Sequence, residues 1–381
     1  MRIVLFTGKG GTGASTLAAA TAVHAARSGV KTGLARHRRP DGPGTERDAA
    51  EAVPGLSVHL LGERPVLGEG PASEPGTALF DALGLDPVDA AELAWLPGHG
   101  ARSALLGLRD LAGSGGFDLL VVDAPELDVT LEWLALPDTV DVLVERLLPP
   151  QRRVSRAMAA GAAAVPAADR LDHLSAAFDT LRGGLAETRA LLQSPAASVR
   201  LVLGPEQSSL RAAARAWTAL CLLGLRVDGL VANRVARTAP VLDQAAALFG
   251  GLPLTRVGAE RAEPQDAAAL ARLGEALHGR PDAAAAERLL AGPATAAPER
   301  LEQVADGFEL SLALPLARRE DVALARAGDQ LRVDLRGDFS GCRRVLTLPS
   351  ALRRCTVAGA RLREGTLTVT FRPDPALWRS P

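Results

Sequence analysis

From residue 1 to about 280 two apolar rhythms alternate along the chain. Compact apolar runs predict strands at Arg2–Thr7, Lys31–Arg36, Leu56–Leu61, Phe117–Asp123, Val140–Leu147, Val199–Leu203, Leu225–Val231 and Pro253–Val257. Between them, apolar positions at helical spacing predict helices at Ser15–Arg27, Ala101–Ala112, Glu206–Leu223 and Gln265–His278. Strands alternating with helices favour an α/β fold, a parallel sheet with helices on both faces. The segment 151–194 carries no strand pattern and spaces Leu171, Leu174, Phe178 and Leu181 as a helix does, which reads as a helical insertion. Residues 281–303 shift to Ala, Pro and Glu, as in a linker. A two-residue rhythm follows in Phe308, Leu310, Leu312 and Leu314, in Leu331, Val333 and Leu335, and in Leu367, Val369 and Phe371. With turn chemistry at Gly328-Asp329, Gly337-Asp338 and Glu364-Gly365, residues 304–373 are expected to form a small, self-contained all-β sandwich.

Composition narrows the function classes. A chain of 381 residues with 47% hydrophobic and 23% charged residues has material for more than one folded core. The formal net charge of -1 offers no electrostatic reason for a nucleic-acid partner. Cys221, Cys342 and Cys355 form no CxxC pair, so the chain has neither a disulfide framework nor a thiolate metal site. The six histidines show no metal-ligand spacing, and no GxSxG turn occurs. No signal-peptide pattern and no membrane-length apolar run is read, so a cytoplasmic protein without an integral membrane segment is expected. Of 43 basic residues only Lys9 and Lys31 are lysines, and Asn233 is the single asparagine. Rare residue types in so biased a chain ask for a chemical reason.

Lys9 sits in Gly8-Lys9-Gly10-Gly11-Thr12-Gly13-Ala14-Ser15-Thr16, between a predicted strand and a predicted helix. Successive backbone N–H groups there converge on the positive end of the helix, the arrangement that binds phosphate. Two readings of the loop are open. Gly8, Gly10 and Gly13 satisfy GxGxxG, and Arg36-His37-Arg38-Arg39 stands where an NADP-binding reductase would carry its basic residues. Alternatively, Ser15 and Thr16 stand where a P-loop places the hydroxyl that binds magnesium.

Motifs elsewhere favour the second reading. The loop has the form GKGG-x-G-x-[ST], with an extra lysine near its start. Phe117-Asp-Leu-Leu-Val-Val-Asp123-Ala-Pro ends a strand on an aspartate, with Thr130-Leu131 and Leu134-Ala-Leu-Pro137 after it. Val227-Asp-Gly-Leu-Val-Ala-Asn233-Arg-Val235 follows. Together these segments resemble the ArsA/Get group of dimeric P-loop ATPases. Leu310–Pro315, Gly328-Asp-Gln-Leu331, Val345-Leu-Thr-Leu-Pro349 and Ala360–Val369 are similar to the α-crystallin-type domain of small heat-shock proteins, found at the C-terminus of some bacterial members. The resemblance implies a deviant P-loop NTPase fold over residues 1–280. It implies ATP/ADP and Mg2+ at Gly8, Lys9, Gly10, Gly11, Thr12, Gly13, Ser15 and Thr16, with Ser15 on the metal and Asp123 holding its water shell. It also implies Asn233 reading the adenine edge, and a homodimer in which Lys9 reaches the partner's nucleotide.

At three places the chain departs from the group's pattern. The second lysine of the loop, immediately before the hydroxyl residue, is here Ala14. The first switch, normally Asp-Pro-Ala-His, reads Arg36-His-Arg-Arg-Pro40, with Asp41 displaced. The Gly-His pair of the second switch is replaced by Asp128-Val129. These departures imply a nucleotide-binding protein with impaired or lost hydrolysis, acting as a binding, chaperone or scaffold protein; an active ATPase of the same type is the alternative. A protein client would be held by the helical insertion or the β-domain.

Overall fold

Ile3 and Leu5 pack into one apolar layer and Val4 and Phe6 into another, and all four are buried. A strand apolar on both faces needs cover on both sides, which is what a parallel sheet wound with helices supplies. The computed structural model describes residues 1–37, 53–61, 99–147, 166–259, 264, 266–339 and 341–375. Strands β1 (Arg2–Gly8), β2 (Thr32–His37), β3 (Leu56–Leu61), β4 (Leu119–Asp123), β5 (Ala197–Leu203), β6 (Val227–Ala232) and β7 (Leu254–Arg256) form one sheet. Their order is β3-β2-β4-β1-β5-β6-β7, and every pairing is parallel.

One face is covered by α1 (Ala14–Arg27), α7 (Ala267–His278) and α8 (Ala283–Leu290), through Leu17, Val23, Leu270, Leu273 and Leu289. The other is covered by α2 (His99–Gly113), α3 (Leu127–Leu147), α4 (Pro166–Gln193), α5 (Gln207–Leu222) and α6 (Pro240–Leu248). Leu105, Leu108, Trp133, Leu185, Leu192, Leu210 and Leu220 are their buried contacts. Residues 140–147, expected as a strand, are instead the last turns of α3, and Pro137 lies inside that helix without ending it. A short apolar run reads the same for a buried helix segment as for a strand, so only its neighbours decide. Of the expected helical insertion, 151–165 falls outside the described residues. The C-terminal half of α4 is a packing layer, with Leu185 and Leu192 in the core and Thr188 donating to the Leu105 carbonyl at 3.2 Å. Among the described residues no helix is long and apolar enough to cross a membrane.

The C-terminal region is antiparallel. Strands β8 (Glu299–Val304), β9 (Gly307–Ala313), β13 (Cys355–Arg363) and β14 (Thr366–Pro373) make one sheet, in the order β13-β14-β9-β8. Strands β10 (Val322–Ala327), β11 (Gln330–Leu335) and β12 (Arg343–Thr347) make the other. Leu310, Leu312, Leu314, Leu331, Val333, Leu335, Leu367, Val369 and Phe371 alternate inward, as the two-residue rhythm predicts, and are all buried. The expectation of a self-contained sandwich is corrected at its seam with α5. Leu222 of α5 belongs to the sandwich core, and the buried Arg344 donates to the Leu222 carbonyl at 2.8 Å while pairing with Glu299 at 2.6 Å.

Helix α1 is alanine-rich and buried nearly all round, which lets α7 approach closely. A Cβ on Gly274 would lie 2.7 Å from the Ala20 carbonyl oxygen. This contact traps His24 and His278, whose ring centroids lie 5.2 Å apart, with His278 Nε2 3.0 Å from the Thr21 hydroxyl. Burial lowers the His278 pKa from 6.5 to about 3, and Arg200, His24 and Arg288 push the same way. Between those two values the unfolded chain binds a proton that the folded chain refuses, so stability falls as pH falls. The slope is about 1.4 kcal/mol per pH unit. His278→Gln keeps a partner for Thr21 and removes this slope. Urea unfolding at pH 7 and pH 5 should therefore show a larger loss of stability in the unmodified chain than in the variant.

Candidate functional site

Because all seven strands run parallel, the ends of β1, β2, β4 and β6 share one edge of the sheet, the edge where such folds bind ligands. Residues 9–13 leave β1 and turn into α1. The Thr12 N–H donates to the Lys9 carbonyl at 3.1 Å and the Thr12 hydroxyl donates to the same oxygen at 2.8 Å, which closes a tight turn. Gly13 takes φ +84°, a left-handed conformation open to glycine, and a Cβ there would lie 2.5 Å from Asn233 Nδ2. It caps α1 without a side chain, so the cap residue itself contributes no hydrogen bond to the first-turn N–H groups, the groups that such a loop turns toward an anion. Ser15 and Thr16 lie half-buried in that first turn. Ala14 packs against the core under α1. Lys9, Gly10 and Gly11 are exposed, and Lys9 Nζ donates to Ser208 Oγ at 2.8 Å, in the first turn of α5.

The end of β6 clamps this loop. Asn233 is 7% exposed; its backbone N–H donates to the Leu203 carbonyl at 2.8 Å and its side-chain nitrogen to the Thr12 carbonyl at 2.8 Å. Arg234, at φ +60°, adds a bond to the Gly11 carbonyl at 3.2 Å. The amide donor that the resemblance assigns to an adenine edge is thus engaged with the loop itself.

Strand β4 lies between β1 and β2, with Asp123 in register with Phe6 on one side and Arg36 on the other. This order also separates the two readings of the glycine loop. A dinucleotide fold sets its second strand directly beside the first, so that the second strand's end reaches the ribose. Here the aspartate strand intervenes. The Arg36 guanidinium donates to Asp123 through Nε at 3.2 Å, and the pair is 17% and 7% exposed. Of the basic cluster, Arg38 and Arg39 lie outside the described residues, as does Asp41. After Asp123 the chain is pinned by Thr130, whose hydroxyl donates to the Pro125 carbonyl at 2.7 Å and lies 3.1 Å from that of Thr7. Glu126, between these anchors, brings its carboxylate over Gly10, 2.7 Å from where a Cβ would stand.

Charge decides whether these donors suit magnesium. Ser15 and Asp123 supply oxygen donors of the expected kind, but Asp123 is a buried carboxylate already neutralised by an arginine. A dication beside it would face that guanidinium, so the residues as arranged do not fit Mg2+. Among the described residues no cluster of three or more His, Cys, Asp or Glu side chains offers another metal site.

Arg234, Glu126 and Ser208 around the loop escape a sequence reading because each arrives from a distant element. Arg36 is visible as part of a basic run, but its partner depends on strand order. Asn233→Ala strips the Thr12 carbonyl of its buried donor, a loss of about 1–3 kcal/mol. Urea unfolding without nucleotide should show this destabilisation, which a residue serving only adenine recognition would not produce.

Comparison with known proteins covers both halves of the chain. Residues 70–243 match the anion-transporting ATPase (ArsA ATPase) family, and residues 305–371 match the HSP20-like domain found in ArsA. The chain is 38% identical to the uncharacterized protein SCO2128 of Streptomyces coelicolor over 99% of both sequences. It is 32% identical to protein Rv2184c of Mycobacterium tuberculosis over 99% of this chain and 97% of that one. A protein of Prosthecochloris vibrioformis provisionally named an arsenical pump-driving ATPase is 26% identical over 97% of this chain and 96% of its own. With matches that run through the loop-bearing sheet and the sandwich alike, the chain belongs to the anion-transporting (ArsA) ATPase family.

Proposed function

We propose that this protein binds adenine nucleotide at the Lys9–Thr16 loop of a homodimer, with impaired or lost hydrolysis, and acts as a nucleotide-dependent binding, chaperone or scaffold protein. Ala14 carries this reading. It puts a methyl group at the start of α1 where the resemblance places a phosphate-binding lysine, while the backbone cradle around it is intact. A cradle of N–H groups still binds phosphate, but transition-state charge goes without a major counter-charge. Support for a nucleotide-dependent contact comes from the segment after Asp123. Asp128 pairs with Arg215 of α5, and both line a cleft of about 900 Å³ whose opposite wall is the sandwich, at Arg332, Asp334 and Arg343. The sandwich, or the helical segment that ends in α4, would then present the surface for a protein client.

Calorimetry with ATP and ADP, followed by a phosphate-release assay, tests the reading. The unmodified chain should bind nucleotide and release phosphate at background rate. Ala14→Lys should tighten ATP binding by about 10- to 100-fold through a restored charge-assisted bond. Turnover should stay near background because no aspartate stands in the first switch. Robust hydrolysis by the unmodified chain, abolished by Asp123→Ala, would overturn the proposal in favour of an active ATPase.

The dimer rests on Lys9, Gly10 and Gly11, which are exposed together, with a neutral hydroxyl, that of Ser208, as the lysine's hydrogen-bond partner. Sedimentation should show a dimer with nucleotide present, weakened by Lys9→Ala. A monomer under every condition removes the trans role of Lys9.

A further inference from the structure

We infer that nucleotide binding at this loop does not use a magnesium ion, because Arg36 already supplies the cation that Asp123 would otherwise recruit. The inference rests on the nucleotide reading and deepens it by naming the ionic form of the ligand: the free polyanion rather than its magnesium complex. Three observations carry it.

The first is register. β2 and β4 are parallel neighbours with Arg36 opposite Asp123, so both residues stand at the ligand edge of the sheet, Asp123 one strand and Arg36 two strands from the end of β1. The second is contact. The guanidinium reaches the carboxylate at 3.2 Å, with the aspartate 7% exposed, so the negative charge that would attract a metal's water shell is compensated within the chain. Removing a buried carboxylate from its cation is costly, and a second cation beside the first meets like-charge repulsion. The third is the balance of charges around the loop. Ala14 brings no cation, whereas Arg234 bonds the Gly11 carbonyl and Lys9 stands at the loop's entrance. Two protein cations, Lys9 and Arg234, thus stand at the loop, and a guanidinium suits phosphate oxygens because its fork of N–H donors matches paired acceptors. Glu126, with its carboxylate over Gly10, is the acid that opposes this field.

These groups favour a ligand with its full negative charge. Magnesium complexed to the polyphosphate would cancel two of those charges and bring its own cation against Arg36. The inference therefore reverses the ordinary preference of a phosphate loop for the metal-bound nucleotide.

Titration of the unmodified full-length chain with ATP in EDTA and with ATP in excess MgCl2 tests it by calorimetry, with no turnover required. Free ATP is expected to bind at least as tightly as the magnesium complex, and free ADP likewise. Arg36→Gln keeps a polar side chain but takes the guanidinium charge away from Asp123, so this variant should shift the preference toward Mg-ATP by about tenfold or more. If the unmodified chain binds Mg-ATP more tightly than free ATP by about tenfold, the inference is overturned and the nucleotide reading stands. Binding of neither form sinks the nucleotide reading and this inference together. An Arg36→Gln chain that folds, judged by circular dichroism, and still prefers free ATP removes Arg36 as the cause.

Discussion

The insertion of β4 between β1 and β2 is the constraint on which the site depends. Leu119, Leu120, Val121 and Val122 are all buried, so this segment belongs in the middle of the sheet, where both faces are covered. Once there, the parallel ladder brings Asp123 to the ligand edge beside the end of β1, with Arg36 as its other neighbour. Neither residue has freedom to leave without breaking ladder bonds deep in the core. The ion pair is therefore a consequence of sheet order, and the electrostatics of the glycine loop inherit it.

Around that edge the chain keeps the backbone device for binding phosphate and discards part of its charge. Asn233 and Arg234 hold the Thr12 and Gly11 carbonyls from the end of β6, and the left-handed Gly13 turns the loop into α1. Each bond is a modest term, yet leaving a buried carbonyl unpaired costs about 1–3 kcal/mol, so the loop is held in one shape. Ala14 faces the apolar layer under α1, where a methyl group packs and a lysine would have to reach outward.

Helix α5 joins the loop to the sandwich. Ser208 in its first turn accepts from Lys9, Arg215 in its middle pairs with Asp128, and Leu222 at its end enters the sandwich core. Burial pushes the Arg344 guanidinium pKa down while Glu299 opposes the shift, so this arginine is a charge taken into the seam and compensated there. A buried arginine held through its two terminal nitrogens, with Nε left without a partner among the described residues, fixes orientation more than it adds stability. The sandwich is thereby seated on the helix that also touches the loop, so one element joins the ligand edge of the sheet to the sandwich core.

Much of this was legible along the chain. The alternation of apolar runs and helical stretches determined a parallel α/β sheet, and the two-residue rhythm of Leu310, Leu312, Leu331, Val333, Leu367 and Val369 determined the sandwich, because burial periodicity is a local property of the backbone. Glycine spacing, the lone Asn233 and the strand-ending Asp123 stood out along the chain, and the fold brings all three to one edge of the sheet. The local pattern misread residues 140–147, where a run of apolar residues continues a helix already begun at Leu127. Only the tertiary structure decided that Asn233 holds the Thr12 carbonyl, that Leu222 belongs to the sandwich core and that Arg36 faces Asp123 across 87 positions of sequence. Such pairings depend on which strands become neighbours, and that choice is settled by the packing of the whole sheet rather than by any segment of it.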